Sequence, residues 1–318
     1  MSHSKGFIFD IYRGTTHDGP GMRSTVFLKG CCLSCAWCHN PESISSKQQL
    51  WWEKNQCIGC GLCEKSCDGN NCTLSESGVS VNTEKCKKCA GCVKACPTGA
   101  ISFVGKEIDA DELFAELKKY DSYYKSYGGG ITVSGGEPLL QYEFVKELFA
   151  LCRQNGIHTA LDTCGAVPFE YLDEVLPLTD CVLYDIKLMD AALHKQYTGQ
   201  SNERILENIL KIADGKRQGK YSSEIWIRTP LIPKITATAE NISAIAGFIK
   251  ENLDDTVSRF ELCTFNKACA NKYEKLGIDW TLKDFPVMSL KDVEEIRKIV
   301  EESGIDKEKT VISGITSE

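Results

Sequence analysis

The chain has 318 residues with 42% hydrophobic content, enough for one large core or two smaller ones. A net charge of -7 and the lack of a Lys/Arg block argue against a nucleic acid as partner. No apolar run is long enough to span a membrane and residues 1–11 hold no secretory h-region, so a cytoplasmic location is expected.

The first predicted element is a strand over 24–29. It runs directly into Cys31, Cys35 and Cys38, spaced C-x3-C-x2-C, with no obvious fourth ligand. Structural zinc and closed iron–sulfur clusters need four protein ligands. Three thiolates on a cubane leave one iron open to a substrate. Cys32 also forms C-x2-C with Cys35, but it lies off this spacing.

Of the 18 cysteines, 13 fall between Cys31 and Cys96. In a cytoplasmic chain such a density reads as metal or redox sites rather than disulfides. Cys57, Cys60, Cys63 and Cys67 have the spacing C-x2-C-x2-C-x3-C, and Cys86, Cys89, Cys92 and Cys96 repeat it. In that bacterial ferredoxin pattern the fourth cysteine of each run serves the other run's cluster. One cluster is therefore assigned Cys57, Cys60, Cys63 and Cys96, and the other Cys86, Cys89, Cys92 and Cys67. Two alternatives stand beside this. Paired zinc ribbons usually carry a longer loop between knuckles, and Cys72 can replace Cys67, since no proline follows Cys67 as Pro97 follows Cys96. Short strands are predicted around Val79–Val81 and Ile101–Phe103.

Beyond the cysteines, strands and helices alternate. Strands are predicted over 130–134, 158–161, 181–185, 224–228 and 259–263, with a seventh at 310–312. Helices are predicted over 110–124, 141–155, 168–176, 202–216, 239–252 and 289–303. This order argues an α/β fold with a parallel sheet and outer helices, interrupted by the cysteine-rich block. Ligands of such sheets gather at the C-terminal strand ends. Gly135, Gly136, Glu137, Asp162, Asp185, Lys187 and Arg228 fall there, as do the three cysteines. An ion-pair network at the sheet rim is the plainer explanation for Asp162, Asp185 and Lys187.

An open iron can chelate an amino-carboxylate, and S-adenosylmethionine (SAM) presents one. Gly135 and Gly136 let backbone approach the methionyl amine, and Glu137 offers it an acceptor. Lys187 and Arg228 balance the methionyl carboxylate. Asp162 and Asp185 suit a cation or the ribose hydroxyls.

These motifs resemble the radical SAM superfamily, including Trp37 before the last cysteine. His17-Asp18-Gly19-Pro20-Gly21-Met22-Arg23, Trp37-Cys38-His39-Asn40-Pro41-Glu42-Ser43 and Ser134-Gly135-Gly136-Glu137-Pro138 narrow the resemblance to glycyl-radical-enzyme activating enzymes. Asp185-Ile186-Lys187 and Arg228-Thr229-Pro230-Leu231-Ile232-Pro233 extend it. The resemblance implies a partial (β/α)6 TIM-type barrel from 1–52 and 105–318, with an inserted ferredoxin-like 2[4Fe–4S] domain at 53–104. It implies three [4Fe–4S] clusters, SAM, and a glycyl radical enzyme as protein substrate, with flavodoxin or ferredoxin as donor to a monomer. It implies SAM contacts from Trp37 and from the strand-end set. A monovalent cation is implied beside Asp162, Thr163, Asp185 and the Leu183 carbonyl. Asp18, Gly19, Pro20, Gly21 and Arg23 are implied to receive the partner's glycyl loop. Asn266 stands where the family often has His, and is expected to contact adenosine without titrating. Phe265 is either an adenine-stacking or a core residue. A small-molecule radical enzyme and an electron-transfer protein with an inactive barrel are the other readings.

Overall fold

The protein is described here by a computed structural model covering residues 4–75, 78–81 and 85–317. Its strands are β1 (Lys5–Thr15), β2 (Arg23–Leu28), β3 (Gln49–Trp52), β4 (Cys72–Ser75), β5 (Gly78–Val81), β6 (Ile101–Val104) and β7 (Lys106–Asp109). They continue with β8 (Gly130–Gly135), β9 (His158–Thr163), β10 (Cys181–Asp185), β11 (Glu224–Leu231), β12 (Val257–Thr264) and β13 (Thr310–Ser313).

Nine of these form one sheet in the order β13-β12-β11-β10-β9-β8-β2-β1-β7. From β2 to β13 every neighbouring pair is parallel, and β1 pairs antiparallel with both β2 and β7. All seven strands predicted for the parallel sheet are present. The antiparallel pair β1 and β7 was not predicted. Gly6 and Gly14 interrupt β1, and two register shifts against β2 further blur its alternation.

The parallel strands are apolar because helices cover them. Val26, Ile131, Val133, Leu161, Val182, Ile225, Ile227, Phe260 and Leu262 are completely buried. Helix Tyr142–Gln154 shows the matching pattern: Phe144, Val145, Leu148, Phe149 and Cys152 form its buried stripe. Each such side chain contributes about 1.5–3 kcal/mol on burial. Helix Leu290–Glu302 opens with a capping box between Ser289 and Asp292. The predicted helix over 110–124 is broken instead. Ala110–Leu117 and Asp121–Ser126 flank a 3-10 turn at Lys118–Tyr120. There the buried Tyr124 hydroxyl bonds Ser24 Oγ at 2.7 Å and the Leu117 carbonyl at 3.2 Å.

The cysteine-rich block leaves and rejoins the chain through a ribbon in which β3 pairs antiparallel with β6. Within it β4 and β5 form a hairpin, and Cys63, Cys72, Cys92 and Ile101 make a small core of their own. Among the described residues, no helix is long and apolar enough to cross a membrane.

Candidate active site

Sheet register brings the strand ends together. Leu28 lies opposite Gly135, Leu183 opposite Asp162, Asp185 opposite Arg228, and Arg228 opposite Glu261. Above these ends is a cavity of about 250 Å³. Cys31, Cys35, Cys38, Trp37, Gly135, Gly136, Asp162, Asp185, Lys187 and Arg228 all line it. Thus ten residues selected from separate motifs meet at one place. His39, Ser134, Thr163, Cys164, Cys263 and Phe265 join them.

The cysteine loop is fixed by backbone bonds: Gly30 N–H donates to the Ser43 carbonyl at 2.7 Å and Cys31 N–H to Ile44 at 3.1 Å. Burial pushes the Cys35 and Cys38 thiols up to about 12. They therefore hold their protons near neutral pH until a metal displaces them. The thiol of Cys31 is lowered instead by its hydrogen bond with Cys32, against burial. Among the described residues, no three His, Cys, Asp or Glu groups converge on a single metal ion. A cubane presents a separate iron to each thiolate, so three cysteines spread around one cavity fit that group.

Beside them is a dense charge network. Lys187 Nζ pairs with Asp185 Oδ2. Burial alone would lower the Lys187 ammonium, but Asp185 overrides it and holds the group above the ordinary lysine value. Arg228 lies 3.5 Å from Asp162 Oδ1 and 3.1 Å from Glu261 Oε2, the latter as an ion pair without hydrogen-bond alignment. Ser134 Oγ donates to Asp162 Oδ2 at 2.6 Å. Burial pushes the Asp162 carboxyl up to about 6, against the pull of Arg228.

The cysteine-rich block contains two further, smaller cavities. One is lined by Cys57, Cys60, Cys63 and Cys96, the other by Cys67, Cys86, Cys89 and Cys92. Both crossed sets assigned from spacing are thus gathered. Cys72 also lines the second cavity. Its thiol is buried and pushed up to about 12 by desolvation and the neighbouring Cys63 and Cys92, whereas Cys67 Sγ accepts the Asn71 N–H at 3.3 Å.

Residues 25–242 match the radical SAM superfamily. The (2S)-3-sulfopropanediol dehydratase activating enzyme of Klebsiella oxytoca is 40% identical over 287 residues, 89% of each chain. The indoleacetate decarboxylase activating enzyme of Tractidigestivibacter scatoligenes is 34% identical over 95% of this chain and 96% of its own. The chain belongs to the activating enzymes of glycyl radical enzymes, within the radical SAM superfamily. A solved radical SAM methyltransferase from Sphaerobacter thermophilus shares the fold at 12% identity, with a TM-score of 0.53 over 97% of this chain and 73% of that one.

Several expected contacts of this activating enzyme are placed differently. Glu137 is fully buried and does not line the cavity. Its carboxylate accepts the Leu139 N–H at 3.0 Å, the Cys164 N–H at 2.8 Å and the Thr163 hydroxyl at 2.8 Å. It therefore stitches the β8 loop to the end of β9 rather than meeting a methionyl amine, and it occupies the Thr163 hydroxyl expected at a cation. Gly135 and Gly136 line the cavity, but what requires them is protein backbone. A Cβ on Gly135 would come within 2.3 Å of Leu28 N, and one on Gly136 within 2.1 Å of the Gly30 carbonyl oxygen.

Asn266 does not line the cavity either. Its Oδ1 accepts the Ala268 N–H at 3.0 Å, and its carbonyl contacts His39 Nε2 at 3.2 Å. Phe265 beside it is both a cavity wall and a core residue, 1% exposed.

Arg23 was expected to meet the partner, but it is completely buried. Its guanidinium donates to Thr132 Oγ1 at 2.7 Å, the Pro20 carbonyl at 2.8 Å and the Ile131 carbonyl at 2.9 Å. It shapes the 16–22 loop from inside. Asp18 accepts from Thr25 at 2.7 Å and Thr15 at 3.1 Å, and Gly19 is buried. Pro20 and Gly21 keep exposed surface. The Arg228 guanidinium reaches the His17 carbonyl at 3.5 Å, which links this loop to the cavity wall.

Proposed function

We propose that this activating enzyme installs the glycyl radical of a partner enzyme by reductive cleavage of SAM. One observation carries the reading: three cysteines of one loop share a cavity with the strand-end glycines and charges, in a chain 40% identical to an activating enzyme. With a reduced cluster and SAM bound, the site yields a 5′-deoxyadenosyl radical, which takes a hydrogen atom from the α-carbon of one partner glycine. The rest is the work of this chain's residues. Cys31, Cys35 and Cys38 would hold the [4Fe–4S] cluster by three thiolates, which would keep a coordination position free for the methionyl amino-carboxylate. Trp37, Gly135 and Gly136 wall that position. Arg228 offers positive charge to the carboxylate, while Lys187 stays committed to Asp185. Asp162 and Asp185 suit a monovalent cation or the ribose. Pro20 and Gly21, braced by Asp18, Gly19 and Arg23, receive the glycyl loop.

The sheet is read as a partial (β/α)6 barrel, and residues 53–104 as a ferredoxin-like insert with two [4Fe–4S] clusters. The two cysteine-lined cavities support that count, and the hydrogen bond from the Asn71 N–H to Cys67 Sγ favours Cys67 over Cys72 as ligand. Flavodoxin or ferredoxin then supplies electrons to a monomeric activating enzyme. Anaerobic reconstitution is expected to load about twelve iron per chain, three cubanes of four irons each. Cys35→Ala should abolish SAM cleavage and retain about eight iron. Cys60→Ala should slow electron delivery and leave SAM binding intact. About four iron with bound zinc would defeat the three-cluster reading; equal loss of SAM binding in both variants would defeat the division of labour between the cavity cluster and the insert.

A further inference from the structure

Helix Ala270–Leu276 was not predicted, and no role above uses it. On one side it grips the cysteine loop. The buried Tyr273 hydroxyl donates to the Cys38 carbonyl at 2.8 Å. Lys272 Nζ sits 2.8 Å from Asn40 Oδ1 and 2.7 Å from Glu42 Oε1. Trp280 stacks on Tyr273 at 5.0 Å and donates from its indole N–H to the Ala36 carbonyl at 2.9 Å.

On the other side the same helix grips the root of the insert. Lys275 Nζ is 2.5 Å from Glu53 Oε1 and 4.7 Å over the Trp51 ring. Glu53 N–H in turn donates to the Ala100 carbonyl at 2.8 Å, and Ala100 lines the cavity of Cys57, Cys60, Cys63 and Cys96. An unbroken path of contacts leads from Cys38 to that cavity.

We propose that this helix is a strut that holds the Cys57/Cys60/Cys63/Cys96 cluster at a fixed separation from the Cys31/Cys35/Cys38 cluster, with Lys275 and Tyr273 as positioning residues for the electron step. The proposal rests on the relay reading of the insert. In the step one electron leaves a reduced insert cluster, which is thereby oxidised, and enters the cavity cluster, which is reduced. No bond forms or breaks and no proton moves. The electron originates from a low-potential one-electron donor outside the chain. Through-protein electron transfer weakens steeply with distance, so loss of the strut slows it without touching SAM.

The test uses the fully loaded enzyme, reduced by a photoreduced flavin. In Lys275→Met, which loses both the ion pair to Glu53 and the cation–π contact to Trp51, reduction of the cavity cluster should slow measurably. The dipolar broadening between reduced clusters in EPR should weaken, and SAM affinity should hold. Lys275→Arg keeps both contacts and should restore rate and broadening. In a Cys60→Ala background, Lys275→Met should add nothing. Unchanged rate and broadening in a fully loaded Lys275→Met would overturn the strut. Wild-type electron delivery in Cys60→Ala would instead overturn the relay beneath it.

Discussion

Two neighbouring carboxylates, Glu137 buried and Asp162 half-buried, show how differently similar side chains act here. Glu137 spends its oxygens on Leu139, Thr163 and Cys164, while Asp162 keeps cavity surface. Glu137→Gln sets an amide N–H₂ against backbone donors, leaving buried groups unpaired at a cost of roughly 1–3 kcal/mol. The melting temperature should fall measurably, with SAM affinity changed far less than in Asp162→Asn. Asp162 also makes a pH prediction for the metal-free protein. Burial raises its folded value from about 4 to about 6, so the folded state binds the extra proton between those limits. Stability therefore falls as pH rises through this window, by on the order of 2–3 kcal/mol. Thermal melts of Asp162→Asn should lose that fall; an identical pH profile would contradict it. The cysteines were legible because ligation imposes spacing. The roles of Glu137 and Arg23 were not, because sequence shows a charged residue without showing which backbone groups it meets.

At the scale of elements, apolar runs and caps placed the seven parallel strands and most outer helices. What escaped was what tertiary contacts decide. β1 and β7 are short of clean alternation and gain definition by pairing with each other. Helix Ala270–Leu276 has only seven residues, too few to show a period, and its placement comes from Tyr273 and Lys275 meeting distant loops. The β8 end makes the sharpest test of element packing. Gly135 has φ near 120° and lies against the backbone of Leu28, so Gly135→Ala combines backbone strain with a clash that no side chain can relieve. Stability should drop by about 2 kcal/mol or more, and denaturant melts read this directly. SAM binding should weaken with it, because the wall moves. A variant as stable as the parent would refute the close β2–β8 approach.

For the molecule as a whole, one sheet end collects the three-cysteine loop, the charges and the glycines, and a separate ribbon attaches the block that carries the two repeated cysteine runs. The cysteine count and spacing pointed to a metal-rich enzyme, but not to how the two parts are joined. That joint depends on Lys275, Glu53 and Trp51, whose meeting no local pattern foretells. The activity rests on transfer of a hydrogen atom from a partner glycine to a SAM-derived radical. It is tested by mixing the reconstituted activating enzyme anaerobically with a candidate glycyl radical enzyme, SAM and reductant, and recording the EPR spectrum. A glycyl doublet is expected, formed together with 5′-deoxyadenosine, that collapses when the partner's glycine is α-deuterated and is absent with Cys35→Ala. SAM cleavage that leaves every candidate partner without a glycyl signal, while a small molecule is turned over, would contradict it.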